Sequence, residues 1–293
     1  MSASTAQATS DQVSAPPPTE LSAEDPRRTL LGSTLQSVLA VVVALILGGL
    51  LIAVTDERVR QAAGYFFARP GDTLSAMWRA ASSAYIAMFY GAVYNPNGST
   101  LADRLYPLTE TLTVATPLIL AGLGVALAFR AGLFNIGAQG QILIGATLAA
   151  WVGFAWQLPV GLHLLAVVVA GAAGGAVWGG IVGLIKARTG AHEVILTIMF
   201  NYVALNLVAW LLTLPGFQRE GSSNPISPPV ADTAMFPKLL GDHFRLHWGF
   251  VVAVLATVAV AWLLNRSTVG FQLRAVGANP RAARTAGISV TLS

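Results

Sequence analysis

The chain contains no cysteine. That excludes disulfides, thiolate metal sites and a cysteine nucleophile. Charge is scarce as well: Asp, Glu, Lys and Arg make up 10% of its 293 residues, against about 25% in soluble domains. No phosphate loop of the form GxxxxGK[ST] occurs, so the chain cannot hydrolyse ATP by that chemistry. No serine–histidine–acid set or paired carboxylates stand out. No basic run is interleaved with aromatics, which removes the usual nucleic-acid signature. What the chain has is apolar surface, with 55% hydrophobic residues and a mean hydropathy of +0.65. That composition describes an all-α polytopic membrane protein. The net charge of +4 is what Lys and Arg at membrane edges produce.

Residues 1–28 are rich in Ser, Ala, Thr and Pro, and read as a disordered cytoplasmic tail. They lack the basic start of a signal peptide. Six apolar runs are long enough to span a bilayer: Leu35–Val54, Leu112–Arg130, Gln139–Trp156, Val160–Ile185, Val194–Leu214 and Trp248–Leu264. Together they define a transmembrane domain over 29–264, with outer loops at about 55–110 and 215–247. Ala76–Val93 holds Arg79, Ser82 and Ser83 beside Trp78, Tyr85 and Tyr90. It reads as an interfacial or re-entrant piece. With the amino terminus inside, Arg130, Lys186, Arg188, Arg266, Arg274, Arg281 and Arg284 fall on the cytoplasmic side. The loop 215–247 carries Pro215, Pro225, Pro228, Pro229 and Pro237, which forbids a helix interior and suits an ordered cap.

Residues 122–141 read GLGVALAFRAGLFNIGAQGQ, a polar, glycine-broken interval between two apolar spans. In hydrocarbon an unpaired amide costs roughly 4–8 kcal/mol on the strictest scale. Broken backbone at membrane depth survives only where protein or a water-filled cavity satisfies it. Asn135, Gln139 and Gln141 are therefore candidates to line a path for a polar solute. On a helix, Asn135 and Gln139 would share a face and Gln141 would point away from Gln139. The alternative is that these amides join helices.

A second group is His192, Glu193, Thr197 and Asn201. The last three recur every four residues and span about 80° of one helical face. A carboxylate entering a membrane helix usually faces a cavity or a partner; the other reading is an interfacial acid favoured by the helix dipole. His192-Glu193 resembles the start of a zinc-protease HExxH motif, but position 196 is Leu, so the second ligand is missing. His243 and His247 are four apart, with no third strong ligand, and read as a solvated loop. Gly171, Gly175, Gly179 and Gly183 fall every four residues on one face, a stripe that lets helices approach closely.

The third group lies in 265–293, which follows the last span. Pro280 can open a short helix. Arg274, Arg281 and Arg284 give a positive face, and Ala282, Ala283 and their neighbours a small packing surface. A docking element for a cytoplasmic subunit needs those properties; an ordinary basic inner loop is the alternative.

Three stretches, PLILAGLGVALAFRAGLFNIGAQGQ, GAHEVILTIMFNY and TVGFQLRAVGANPRAARTAGISV, together resemble the permease subunits of ATP-binding-cassette importers. The resemblance covers roughly Thr111–Val290 and is nearest to the branch that carries nucleosides, related to ribose-type sugar permeases. It implies a multi-pass permease of the cell membrane with no cofactor and no enzymatic step of its own. The partners it implies are an ATPase subunit, a second permease and an extracytoplasmic solute-binding protein. It makes the last stretch the cytoplasmic coupling loop, with Arg274, Gly277, Asn279, Pro280, Ala282, Ala283 and Gly287 as its docking residues. Two positions depart from the nucleoside-type pattern, which usually has an acid at Gln139 and Asn at His192. The family continues with more spans after the coupling loop, so a chain ending at Ser293 is expected to be truncated. A simple-sugar permease, an ATP-independent carrier or channel, and a non-transporting fragment are the competing expectations.

Overall fold

A computed structural model describes residues 26–288 of the protein. Residues 1–25 of the expected tail, and 289–293 at the other end, lie outside the described residues. The described residues form helices and no strand: α1 (Pro26–Thr55), α2 (Glu57–Ala63), α3 (Pro70–Ala92), α4 (Leu101–Arg130), α5 (Ala138–Ala155), α6 (Leu162–Thr189), α7 (Glu193–Leu211), α8 (Gly249–Arg266), α9 (Thr268–Ala278) and α10 (Pro280–Thr285). Six of them hold segments long and apolar enough to cross a membrane, in α1, α4, α5, α6, α7 and α8. The chain divides into two units, residues 1–88 and 89–293.

In the first unit, α1 stops where Asp56 breaks the apolar run. Its carboxylate accepts from the N–H groups of Arg58 (2.8 Å) and Val59 (3.3 Å) and so starts α2. Tyr85 of α3 donates its hydroxyl to the Leu45 carbonyl of α1 at 2.5 Å. Gly48 makes room for that residue, since a Cβ there would sit 2.8 Å from the Tyr85 hydroxyl. α3, which contains most of 76–93, is one unbroken helix of 23 residues. It is not among the six apolar spans.

The second unit opens on α4, which starts eleven residues before the apolar pattern at Leu112. Thr100 and Asp103 form a reciprocal capping box that begins a helix in spite of the proline at 107. At 30 residues, α4 is about 45 Å long, enough to cross a bilayer and project beyond it. Its first turns meet the proline-rich loop 215–247: Arg245 pairs with Glu110 at 2.9 Å and His243 with Asp103 at 3.3 Å. Its last residues meet α9 instead. The two groups thus mark opposite membrane faces.

α5, α6 and α7 form the densest packing. The glycine stripe of α6 lies against α5: a Cβ at Gly171 would be 3.4 Å from the Ala149 side chain, one at Gly175 3.6 Å from the Gln141 carbonyl, and one at Gly179 2.6 Å from the Gln141 amide. α5 answers with Gly145, where a Cβ would lie 2.8 Å from the Gly171 carbonyl. At Gly145 and Gly179 the helices meet too closely for a side chain, whereas at Gly171 and Gly175 a Cβ would make ordinary contacts. Gly183 departs from the stripe, with nothing within 4 Å, because α6 has by then diverged from α5.

The loop 215–247 is held onto this core by His163, whose side chain is fully buried. Its Nδ1 lies 2.7 Å from the Thr233 hydroxyl and its Nε2 3.1 Å from the Val152 carbonyl. The Ala231 N–H also donates to the Gly153 carbonyl at 2.9 Å. The loop is an ordered cap with one short 3-10 turn at Asp232–Ala234.

Candidate functional site

Two cavities border the α5–α6 contact. The larger, about 520 Å³, lies between α4, α5 and α6 and reaches the cap at Phe236. Its walls are mostly small and apolar, among them Pro117, Gly124, Ala146 and Gly171, and its polar side chain is Gln141. That volume lies within the roughly 300–1,000 Å³ typical of small-molecule sites. The smaller, about 120 Å³, lies at the opposite, α9-facing end of α5–α7. Asn135, Gln141, Lys186, Glu193 and Thr197 border it. At that size it holds a few waters at about 30 Å³ each, not a metabolite. Gln141 therefore stands between the two spaces and faces both.

The polar groups of the inner cavity are unequally committed. Glu193 opens α7 and pairs with Lys186 of α6 at 3.1 Å, across the turn that ends at Gly190. Thr197 donates its hydroxyl to the Glu193 carbonyl at 2.8 Å, which leaves its methyl side to pack on Gly137. Asn135 accepts from the Gly137 N–H at 2.9 Å. The indole N–H of Trp178, which borders the same cavity, is buried and has no hydrogen-bond partner among the described residues. Such donors are rare; this one lies over Gly140, where a Cβ would come within 2.8 Å of it.

Several sequence expectations need correction here. Asn135 and Gln139 do not share a helical face, because α5 begins only at Ala138 and Asn135 sits in the turn before it. Gln139 is exposed and outside both cavities, as is His192. Asn201 lies on the same face as Glu193 and Thr197 but does not line the cavity. Its Oδ1 accepts from the Gly140 N–H at 2.8 Å and its Nδ2 donates to the Ile136 carbonyl at 3.0 Å. Both ends of the amide are used to hold the frayed start of α5, whose first N–H groups have no helical partner. His243 and His247 are not a pair on one helix: His243 faces Asp103, whereas His247 stacks on Phe236 and accepts from the Gly249 N–H. Among the described residues no three metal-binding side chains cluster.

Sequence reasoning passed over Lys186 and Trp178 as site residues. The signal for the first was a cation and an acid seven residues apart across a helix–glycine–helix corner. For the second it was a lone indole beside Gly179 on the stripe.

The basic segment 265–288 forms two helices, the second opening at Pro280 as the sequence suggests. Ser267 caps α9 by accepting from the Gly270 N–H at 2.9 Å. Asn279 caps α10 by accepting from the N–H groups of Arg281 (3.0 Å) and Ala282 (3.1 Å), with Pro280 as first helical residue. Arg281, Ala282 and Arg284 are exposed, Arg274 is half-buried, Ala283 is buried, and Gly287 turns the chain with φ +80°. Gly277 rests on the backbone of Arg130–Gly132, where a Cβ would strike the Arg130 carbonyl. Gly132 is itself in the left-handed region at φ +75°, and a Cβ on it would lie 3.0 Å from the Gly277 Cα. α9 therefore bears directly on the turn that carries Asn135 into the inner cavity.

With that geometry in place, the comparisons with known proteins are specific. Residues 108–292 match the family described as the permease component of the branched-chain amino acid transport system. The guanosine ABC transporter permease protein NupP of Bacillus subtilis is 42% identical over 70% of this chain and 58% of its own length. The glucose ABC transporter permease protein TsgB13 of Haloferax volcanii is 39% identical over 63% of this chain and 50% of its own length. The nucleoside ABC transporter permease protein NupB of Lactococcus lactis is 36% identical over 61% of this chain and 51% of its own length. The chain thus spans about half the length of the curated relatives it matches. No solved structure gives a significant match. The matched region takes in both cavities, the cap and α9–α10, and this multi-pass membrane chain belongs to the branched-chain amino acid transport system permease family.

Proposed function

We propose that the protein is the transmembrane permease subunit of an ATP-driven importer, acting on nucleosides by alternating access. The observation that carries this reading is the contact of Gly277 with Arg130–Gly132. It joins an exposed basic helix pair to the turn that borders the inner cavity, and it lets a push on one be felt at the other. A separate ATPase subunit would supply that push, with Arg274, Asn279, Pro280, Ala282, Ala283 and Gly287 shaping the docking surface. ATP hydrolysis belongs to that partner, and no covalent step occurs here. A second permease and an extracytoplasmic solute-binding protein complete the assembly, the latter on the cap face. On this reading the membrane is the cell membrane and the amino terminus is cytoplasmic.

The solute would occupy the 520 Å³ cavity from the cap side and meet Gln141. An amide both donates and accepts, which suits a neutral base-bearing or hydroxyl-rich solute and needs no counter-charge. Passage inward requires the inner cavity to widen. Asn135, Glu193 and Thr197 border it, and the Lys186–Glu193 pair ties α6 to α7 beside it. Gly171, Gly175 and Gly179 keep α5 and α6 together during that motion. Two relatives named for nucleoside or guanosine transport support the substrate class. The relative named for glucose supports a simple sugar as the second reading.

The test is uptake of labelled guanosine and of labelled ribose and glucose in the source cell, with the gene intact, deleted and restored. Loss of guanosine uptake on deletion, and its return on restoration, is the expected result. Unchanged guanosine uptake with loss of sugar uptake would replace the substrate; no change in either would overturn the reading.

A further inference from the structure

The first unit contains a site that the transport reading does not use. α1 and α3 touch at Tyr85, and beside that strut runs a groove of about 670 Å³. Its walls include Leu45, Ile46, Leu50, Met77 and Trp78, and almost all of its surface is apolar. From Val42 to Ala53 it follows eleven helical steps, about 16.5 Å at 1.5 Å each. Half of a bilayer's hydrocarbon core is about 15 Å.

A polar cavity of about 530 Å³ adjoins the groove along α3 and reaches Asp56 and Arg58. The two share Ser82 and Ile86 as walls. Arg58 and Arg79 both line the polar cavity, and neither forms an ion pair among the described residues. Arg79 spends one donor on the Ser75 hydroxyl at 3.1 Å and keeps the rest. The acid in the wall, Asp56, has one oxygen held by two backbone N–H groups. Two guanidinium groups against one carboxylate leave the cavity cationic. Its Asp56 and Arg58 wall lies just past Thr55, where the apolar run of α1 ends, at headgroup depth. Trp78, 75% exposed on the groove wall, has the character of an interfacial anchor.

We propose that this unit binds an anionic phospholipid, with an acyl chain in the α1–α3 groove and the phosphate between Arg58 and Arg79. An acyl chain fits an apolar channel one leaflet deep. A phosphate fits two forked guanidinium donors. The occupant is a lipid and not free phosphate, because the groove continues directly from the cationic cavity. The site is independent of the solute and of the ATPase, so transport assays do not bear on it.

The experiment uses the full chain in non-ionic detergent, titrated with dioleoylphosphatidylglycerol and separately with dioleoylphosphatidylcholine, and read by native mass spectrometry. A preference of roughly thirtyfold for the glycerol lipid is expected, from about 1 kcal/mol for each of the two arginines near a surface. Arg58→Gln combined with Arg79→Gln should erase the preference, and Lys at both positions should retain it. Arg60→Gln should leave it unchanged, because Arg60 already pairs with Glu57 and lies outside the cavity. Chain-brominated phosphatidylglycerol should quench the emission that Trp78→Phe removes. Equal binding of the two lipids, equal loss in Arg60→Gln, or displacement of the lipid by millimolar inorganic phosphate would each overturn the proposal.

Discussion

The two ends of the α4–α8 bundle are fastened by different chemistry. At the cap end, a fully buried imidazole joins Thr233 to the Val152 carbonyl, and Arg245 and His243 tie the loop to the first turns of α4. At the α9 end, Asn201 bonds α7 to the start of α5 and one ion pair joins α6 to α7, but α9 itself meets Arg130–Gly132 through the bare backbone at Gly277. Directional bonds resist sliding, since a displaced partner leaves a buried polar group unpaired. A contact between glycine backbones makes no such bond. It transmits compression and permits rotation. On the proposed function, the cap is the part that stays, and α9 the part able to move between the discrete arrangements that alternating access requires.

The most severe way to break this contrast is Gly277→Trp. The side chain has no room over the Arg130 carbonyl, so α9 must lift away from the turn. We expect solute uptake to fall to background while the assembled complex still hydrolyses ATP. Gly277→Ala should give a partial loss. Normal coupling in the Trp variant would remove α9 from the relay.

Next in size is His163→Leu. Without the imidazole the half-buried Thr233 hydroxyl loses this partner and the Val152 carbonyl keeps only the Trp156 N–H, at about 1–3 kcal/mol. The thermal midpoint of the purified chain should drop, and the 215–247 loop should become open to protease. Uptake measured well below that midpoint should stay close to normal. Asn201→Ala is the equivalent at the α9 end, freeing the Gly140 N–H and the Ile136 carbonyl. Its site is less enclosed, so the midpoint should fall by less. Uptake lost with no change in midpoint would return Asn201 to the solute path.

Gln141→Leu tests the space between the ends. It keeps the volume beside Gly179 and removes the amide. The KM for uptake should rise by roughly tenfold, the equivalent of about 1.4 kcal/mol, with the midpoint unchanged. An unaltered KM would separate the cavity from the solute.

The six spans were legible because apolar runs of that length have few other uses. The break at 131–137 was legible because glycine and amides between two spans need a reason. Asn201 was not: a four-residue period gives the face of a helix, not whether an amide on that face meets water or the backbone of a helix some sixty residues earlier. The start of α4 was written as Thr100-x-x-Asp103, but Pro107 and the charges around it masked the capping box. The stripe partner Gly145 is a single glycine in an apolar helix, and nothing local tells it apart from generic packing. His163 is in the same position, because its value depends on Thr233, seventy residues away.

The smallest expected effects come from the two ion pairs, and they sharpen the comparison most. Arg245–Glu110 and Lys186–Glu193 are both partly exposed, and exposed pairs contribute roughly 0–1 kcal/mol. Neither Arg245→Gln nor Lys186→Gln should move the thermal midpoint appreciably. Their effects on transport should differ. The cap pair joins parts that stay together, so Arg245→Gln should leave uptake as it was. The Lys186–Glu193 pair spans α6 and α7 beside the inner cavity, so its loss favours the widened arrangement. Lys186→Gln, and Glu193→Gln with it, should raise ATP hydrolysis without solute and lower the uptake achieved per ATP. The double variant should do no more than either single one, because each removes the same link. Equal and negligible effects at both ends would mean that the α9 end is as fixed as the cap, and that the moving element lies elsewhere in the assembly.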